Sequence, residues 1–170
     1  GSDGRITSAL LYIPPGVSSK APAPGIVATH GYINSRETQD GFAIEFARRG
    51  YVVLAPDQSG HGFSDPPAFA AGFGGLDTLR YLRSLDIVDS KNIGLEGHSM
   101  GGWASVAAAS ANPDGYASMV LASSSTGTYG GSTGGRARRS PGDLSRCGNA
   151  SSGPRHASTV DIQNASPLSG

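Results

Sequence analysis

A serine with a glycine two residues away on either side, Gly97-His98-Ser99-Met100-Gly101, is the first feature of this sequence able to do chemistry. A serine hydroxyl is a weak nucleophile. It needs a backbone that presents it, a base that takes its proton and N–H groups that stabilise the oxyanion it creates. The motif lies between a short apolar run at 93–96 and a small, apolar helical pattern at 100–111, which is the setting of a nucleophile elbow. A strand turning into a helix within a few residues holds Ser99 at a strained tip above the sheet. Side chains at Gly97 or Gly101 would collide with neighbouring chain, so both positions require glycine. The helix aims its N-terminus at the site, and the Met100 N–H faces a developing oxyanion. His30-Gly31-Tyr32 follows the apolar run 25–29, and in such a site the second donor comes from that loop. Gly31 allows close backbone approach, and the Tyr32 N–H is the expected donor.

Other polar residues read as supports. His30 sits at a strand end beneath the oxyanion loop, where a hydrogen-bonded structural role is expected. Asp57 and His61, in Asp57-Gln58-Ser59-Gly60-His61-Gly62, invite completion of a Ser–His–Asp set. A polar pair in a turn after a buried strand more often anchors that turn. Trp103, one helical turn past the serine, reads as core.

The elements that position these residues alternate. Residues 6–14 form a β-branched and apolar run stopped by Pro14-Pro15-Gly16. Runs 25–29, 51–55, 93–96 and 117–122 read as further strands, buried and parallel where the apolar run is continuous. Helices are expected over 36–49, with Phe42, Phe46 and Arg49 on one face, over 76–85, with Leu76, Leu79, Leu82 and Leu85, and over 100–111. Strands alternating with helices argue an α/β domain: a three-layer αβα sandwich around a mostly parallel sheet.

The chain has 170 residues, enough for one domain with a real core, and 13 Lys+Arg against 13 Asp+Glu leave no net charge for nucleic acid or acidic lipid. No apolar run reaches the ~18 residues that span a bilayer. A single Cys147 excludes an internal disulfide, and four His make no structural zinc cluster. The zero balance hides an asymmetry. Residues 1–126 hold 8 Lys+Arg and 11 Asp+Glu, whereas 127–170 hold 5 Arg, 2 Asp, 9 Gly and 8 Ser. The second segment has only Leu144, Val160, Ile162 and Leu168 to bury, too few to offset its ordering entropy. It reads either as a flexible extension or as sequence out of frame. The domain expectation is therefore a core over 1–126 and a tail over 127–170. Residue 1 is Gly, so the chain reads as a fragment or a processed product.

At PAPGIVATHGY, RRGYVVLAPDQSGHGFSD and IGLEGHSMGG the sequence resembles the N-terminal part of an α/β-hydrolase. The likeness is to serine-aminopeptidase-like and dienelactone-hydrolase-like esterases and lipases, and it covers about residues 5–126. It implies an α/β-hydrolase sheet truncated after about its sixth strand, with Ser99 as nucleophile, Tyr32 and Met100 as oxyanion donors, and Asp57 and His61 as the structural turn. It also implies a later acid and a final His. The strands that should bring them are not recognisable, and Asp143 followed by His156 is the one pair in that order. The implied activity is cleavage of a small-molecule carboxylic ester or small amide through an acyl-enzyme, with no metal or organic cofactor. The alternatives are an inactive remnant that self-associates through an exposed sheet edge, or a binding module using the cleft above Ser99. Localisation stays open between the cytoplasm and a membrane tether outside this chain.

Overall fold

The computed structural model describes residues 1, 4–68 and 71–123. The tail over 127–170, with Asp143 and His156, lies outside the described residues. Five strands form one sheet: β1 (Ala9–Tyr12), β2 (Ala23–Thr29), β3 (Val52–Pro56), β4 (Val88–His98) and β5 (Ser118–Ala122). Their order is β1-β3-β2-β4-β5. β1 runs antiparallel to β3, Leu11 opposite Leu54, and every other pairing is parallel.

The apolar runs explain the centre of this sheet. Every residue of β2 and β3 is buried, as a strand covered on both faces requires. Alternate residues serve opposite layers. Ile26, Ala28 and Val53 pack with Ala43, Phe46 and Tyr51 around α1 (Asp40–Arg48). Val27, Leu54, Ile93 and Leu95 pack with Leu79 and Leu82 of α2 (Gly75–Ser84) and Ala108 and Ala109 of α3 (Met100–Ala111). The three-layer architecture follows from connection handedness. Right-handed crossovers place helices on opposite faces when the chain moves in opposite directions along the sheet. From β2 the chain steps through α1 to β3 on one side; from β3 it returns through α2 to β4 on the other.

Three expected elements differ in detail. The first strand is shorter than 6–14, because the loop after β3 takes the backbone of residues 6–8. The Ser8 carbonyl accepts from the Asp57 N–H at 2.8 Å, and the Ser8 N–H donates to Ser64 Oγ at 2.9 Å. The first helix opens with a 3-10 turn, Arg36–Gln39, and turns a different face inward. Gln39, Ala43 and Phe46 face the sheet, whereas Phe42 is 54% exposed. Small Ala43 lets α1 approach closely, which a Phe42 face would prevent. The strand expected at 93–96 extends to Val88–His98 across an irregularity at Pro24/Gly25. Pro24 has no N–H for the ladder, and the Asp89 carboxylate folds the intervening residues by accepting from the Lys91 N–H at 3.1 Å and Asn92 Nδ2 at 2.7 Å. Among the described residues no helix is long and apolar enough to cross a membrane.

Candidate active site

The carboxyl ends of β2 and β4 are neighbours whose connections leave toward opposite faces of the sheet. That reversal opens a crevice, the usual ligand position in an open α/β sheet. Ser99 stands in it, half-buried, between the last residue of β4 and the first of α3. Its backbone has φ 53° and ψ −113°, a conformation L residues avoid, which costs of order 1–3 kcal/mol. The Ser99 N–H donates to the Ala122 carbonyl at 2.9 Å, and the Ser99 carbonyl accepts from Gly102 N–H at 3.0 Å. The elbow is thus pinned to β5 and to α3. Met100 opens α3, so its amide has no intrahelical acceptor and points with the positive end of the helix.

The glycines are steric necessities. A Cβ on Gly97 would come within 2.6 Å of the Gly102 nitrogen. One on Gly101 would strike the Thr29 carbonyl and lie 2.7 Å from that of His30. This close approach seats α3 on the end of β2, and it brings the Gly31-Tyr32 loop beside the elbow. A Cβ on Gly31 would sit 3.0 Å from His98 Nδ1.

His30 is fully buried, and both ring nitrogens are engaged. Nδ1–H donates to the Gly31 carbonyl at 2.7 Å, and Nε2 accepts from the Gln58 N–H at 3.0 Å. Desolvation pushes its pKa down, so the ring is neutral and fixed in one tautomer. It buttresses the loop and has no nitrogen left to serve Ser99. The Asp57 carboxylate is also fully buried. It accepts from the N–H groups of Arg36 at 2.8 Å and Phe63 at 3.1 Å, with the Arg36 guanidinium 3.5 Å away. His61 Nδ1 lies 3.1 Å from the Ser59 carbonyl, and its ring packs between those of His30 and Tyr32. The pair therefore binds the loops after β2 and β3 together, the anchoring role expected of it.

Four supports were not anticipated from the sequence. Thr29 Oγ1 lies 2.8 Å from the carbonyl oxygens of both Glu96 and Gly101, clamping β2, β4 and α3. Ser105 Oγ stands 3.3 Å from the Thr29 hydroxyl. Glu96, three residues before the serine, is buried with one carboxyl oxygen unpartnered, and burial pushes its pKa up to about 7. Phe73, in a left-handed backbone at φ 54°, packs against Met100, Ala104 and Trp103, the last half-buried. A polar residue at the end of an apolar run, Thr29 in 25–29 and Glu96 in 93–96, was the signal available for the first and third of these.

Sheet order, crossovers and elbow define an α/β hydrolase. A family model described as alpha/beta hydrolase fold matches residues 24–138, and the chain belongs to that family. Uncharacterized proteins of Mycobacterium bovis and Mycobacterium tuberculosis are 35% identical over 83 residues, 46% of this chain and 23% of theirs. The match thus spans less than a quarter of the length of these curated relatives. Est1E from Butyrivibrio proteoclasticus, solved with ferulic acid bound, superposes with a TM-score of 0.60 at 26% identity, over 70% of this chain and 49% of its own. Epoxide hydrolase A from Mycobacterium thermoresistibile does so with a TM-score of 0.57 at 25% identity, over 70% of this chain and 36% of its own. Family and neighbours together place the chain in the alpha/beta hydrolase fold.

Proposed function

We propose that this chain is a serine hydrolase unit that cleaves carboxylic esters or small amides through an acyl-enzyme on Ser99. The observation that carries this is the strained backbone of Ser99 between β4 and α3, walled by glycines that tolerate no side chain. Strain of this kind persists where the surroundings impose it, and here it lifts one hydroxyl above the sheet. A base takes the Ser99 proton as Oγ attacks the carbonyl carbon. The oxyanion is held by the N–H groups of Met100 and Tyr32. The leaving group departs with a proton from the base, and water then cleaves the serine ester. Base and acid come from residues beyond the described region, where Asp143 and His156 are the sequence candidates.

A serine nucleophile favours esters over the epoxides named for one structural neighbour. Serine attack on an epoxide leaves an ether, which water does not cleave through an oxyanion. Attack on an ester leaves another ester, which it does.

The test is covalent labelling. A fluorophosphonate probe added to the full chain should mark Ser99, located by peptide mass spectrometry, and p-nitrophenyl acetate turnover should vanish in Ser99→Ala. Labelling elsewhere, or turnover that survives the substitution, would overturn the reading.

A further inference from the structure

The chain on either side of Ser99 docks on the end of β2, but by different means. After the serine, Gly101 meets the Thr29 and His30 carbonyls backbone to backbone, a contact that no side chain can adjust. Before the serine, His98 reaches Gly31 with its ring. His98 ends β4 opposite Ala122 of β5, and it is exposed. A Cβ on Gly31 would lie 3.0 Å from its Nδ1 and 3.5 Å from its Cε1. Gly31 is outside the left-handed backbone region, so its conformation does not demand glycine. The imidazole does, because it occupies the space a side chain would need. Gly31 offers no side chain to bond, so the contact is one of shape.

The loop that this ring touches has one peptide fixed in direction. The Gly31 carbonyl accepts from His30 Nδ1–H at 2.7 Å and from the Asn34 N–H at 3.3 Å. In a trans peptide the carbonyl and the next N–H point opposite ways, so the Tyr32 N–H faces away from buried His30. Hydrogen bonds thus set the direction of this N–H. Its distance from the elbow is a separate matter, and the His98 ring spans it, running from the strand that carries Ser99 to Gly31. That distance counts, because two donors stabilise an oxyanion only where both reach the same oxygen.

We infer that His98 is a positioning residue: its ring spaces the Gly31-Tyr32 loop from the elbow, so that the Tyr32 and Met100 N–H groups converge on one oxygen. This rests on the proposed reading of Ser99 as nucleophile and those two amides as donors. The test measures turnover and unfolding in the full chain. Turnover of p-nitrophenyl acetate is counted per Ser99 titrated with a fluorophosphonate. His98→Ala should lower kcat about tenfold with KM little changed, because the loss falls on the transition state. His98→Phe, a flat ring that carries no proton, should recover most of the rate and keep the pH profile of the unsubstituted chain. Gly31→Ala should also slow turnover, since its methyl competes with the ring. Combined with His98→Ala it should cost less than the two losses together, because one change vacates the space that the other fills. Urea unfolding should show the same non-additivity. A merely structural His98 would lose melting temperature and titratable serine together while kcat per labelled site held, and that would overturn the inference. A loss in His98→Phe equal to that in His98→Ala, or additive effects at 31 and 98, would overturn it too. Absent labelling of Ser99 in the unsubstituted chain, with the unfolding coupling intact, would instead overturn the nucleophile reading and the positioning role with it.

Discussion

Glu96 shows how a single residue beside the elbow sets a condition on the fold. Its carboxyl lies in the buried interior of β4, and burial alone raises its pKa from 4.5 to about 7. In the unfolded chain the proton is lost near pH 4.5. In the folded chain it is kept until about pH 7. Between those values folding takes up a proton, so stability falls as pH rises through that window and stays lower above it. The full change is about 3 kcal/mol for a shift of this size. Urea unfolding of the full chain at pH 5 and pH 8 should show the loss, and Glu96→Gln should flatten it. An equal loss in Glu96→Gln would assign the pH dependence to another group. This residue was not legible beforehand. A glutamate in an otherwise apolar IGLE run signals burial of a polar group, but the run alone does not say whether a partner is present. The tight turn at Ser99 and the close packing at Gly97 and Gly101 were legible because they depend on local backbone geometry, which five residues and their flanks specify. Asp143 and His156 had no such local frame, being named by order in the chain alone.

Elements are held by contacts that sequence patterns do not record. The end of β2, the middle of β4 and the first turn of α3 meet at the Thr29 hydroxyl. Thr29→Val keeps the shape and removes the hydrogen bonds, leaving the Gly101 carbonyl without this donor in a buried place. It should cost about 1–3 kcal/mol in urea unfolding, and Thr29→Ser should recover most of it. Indistinguishable Val and Ser variants would show that the hydroxyl contributes little. The same scale explains which boundaries could be read. α3 begins and ends where expected, because the elbow starts it and Asn112-Pro113 stops it. The buried strands were plain from continuous apolar runs. The first helix was placed but rotated, since Phe42 looked like core, whereas the sheet accepts Ala43. β4 was read short because residues 89–92 are polar; Asp89 pairs opposite Pro24, and its carboxylate closes the bulge over 90–92 before the ladder resumes at Ile93. Local pattern fixes an element that closes on itself and misses one completed by a distant partner.

At the scale of the whole molecule, the asymmetry of the sheet matters most. On one side β1 closes the order with an antiparallel strand. On the other, β5 pairs with β4 alone among the described residues. Parallel strands are normally interior, with helices over both faces, yet the helix contacts of β5 come from α3. Among the described residues no strand pairs with the outer edge of β5, beside Val120 and Leu121, both only half-buried. Such an edge pairs with another chain unless something covers it. The expected outcome is self-association: sedimentation velocity should show oligomers growing with protein concentration. Val120→Lys places a charge beside that edge at a half-buried position, and it should return the chain toward monomer without loss of helix content. A sharply melting monomer at all concentrations would mean that residues after 123 already occupy the edge.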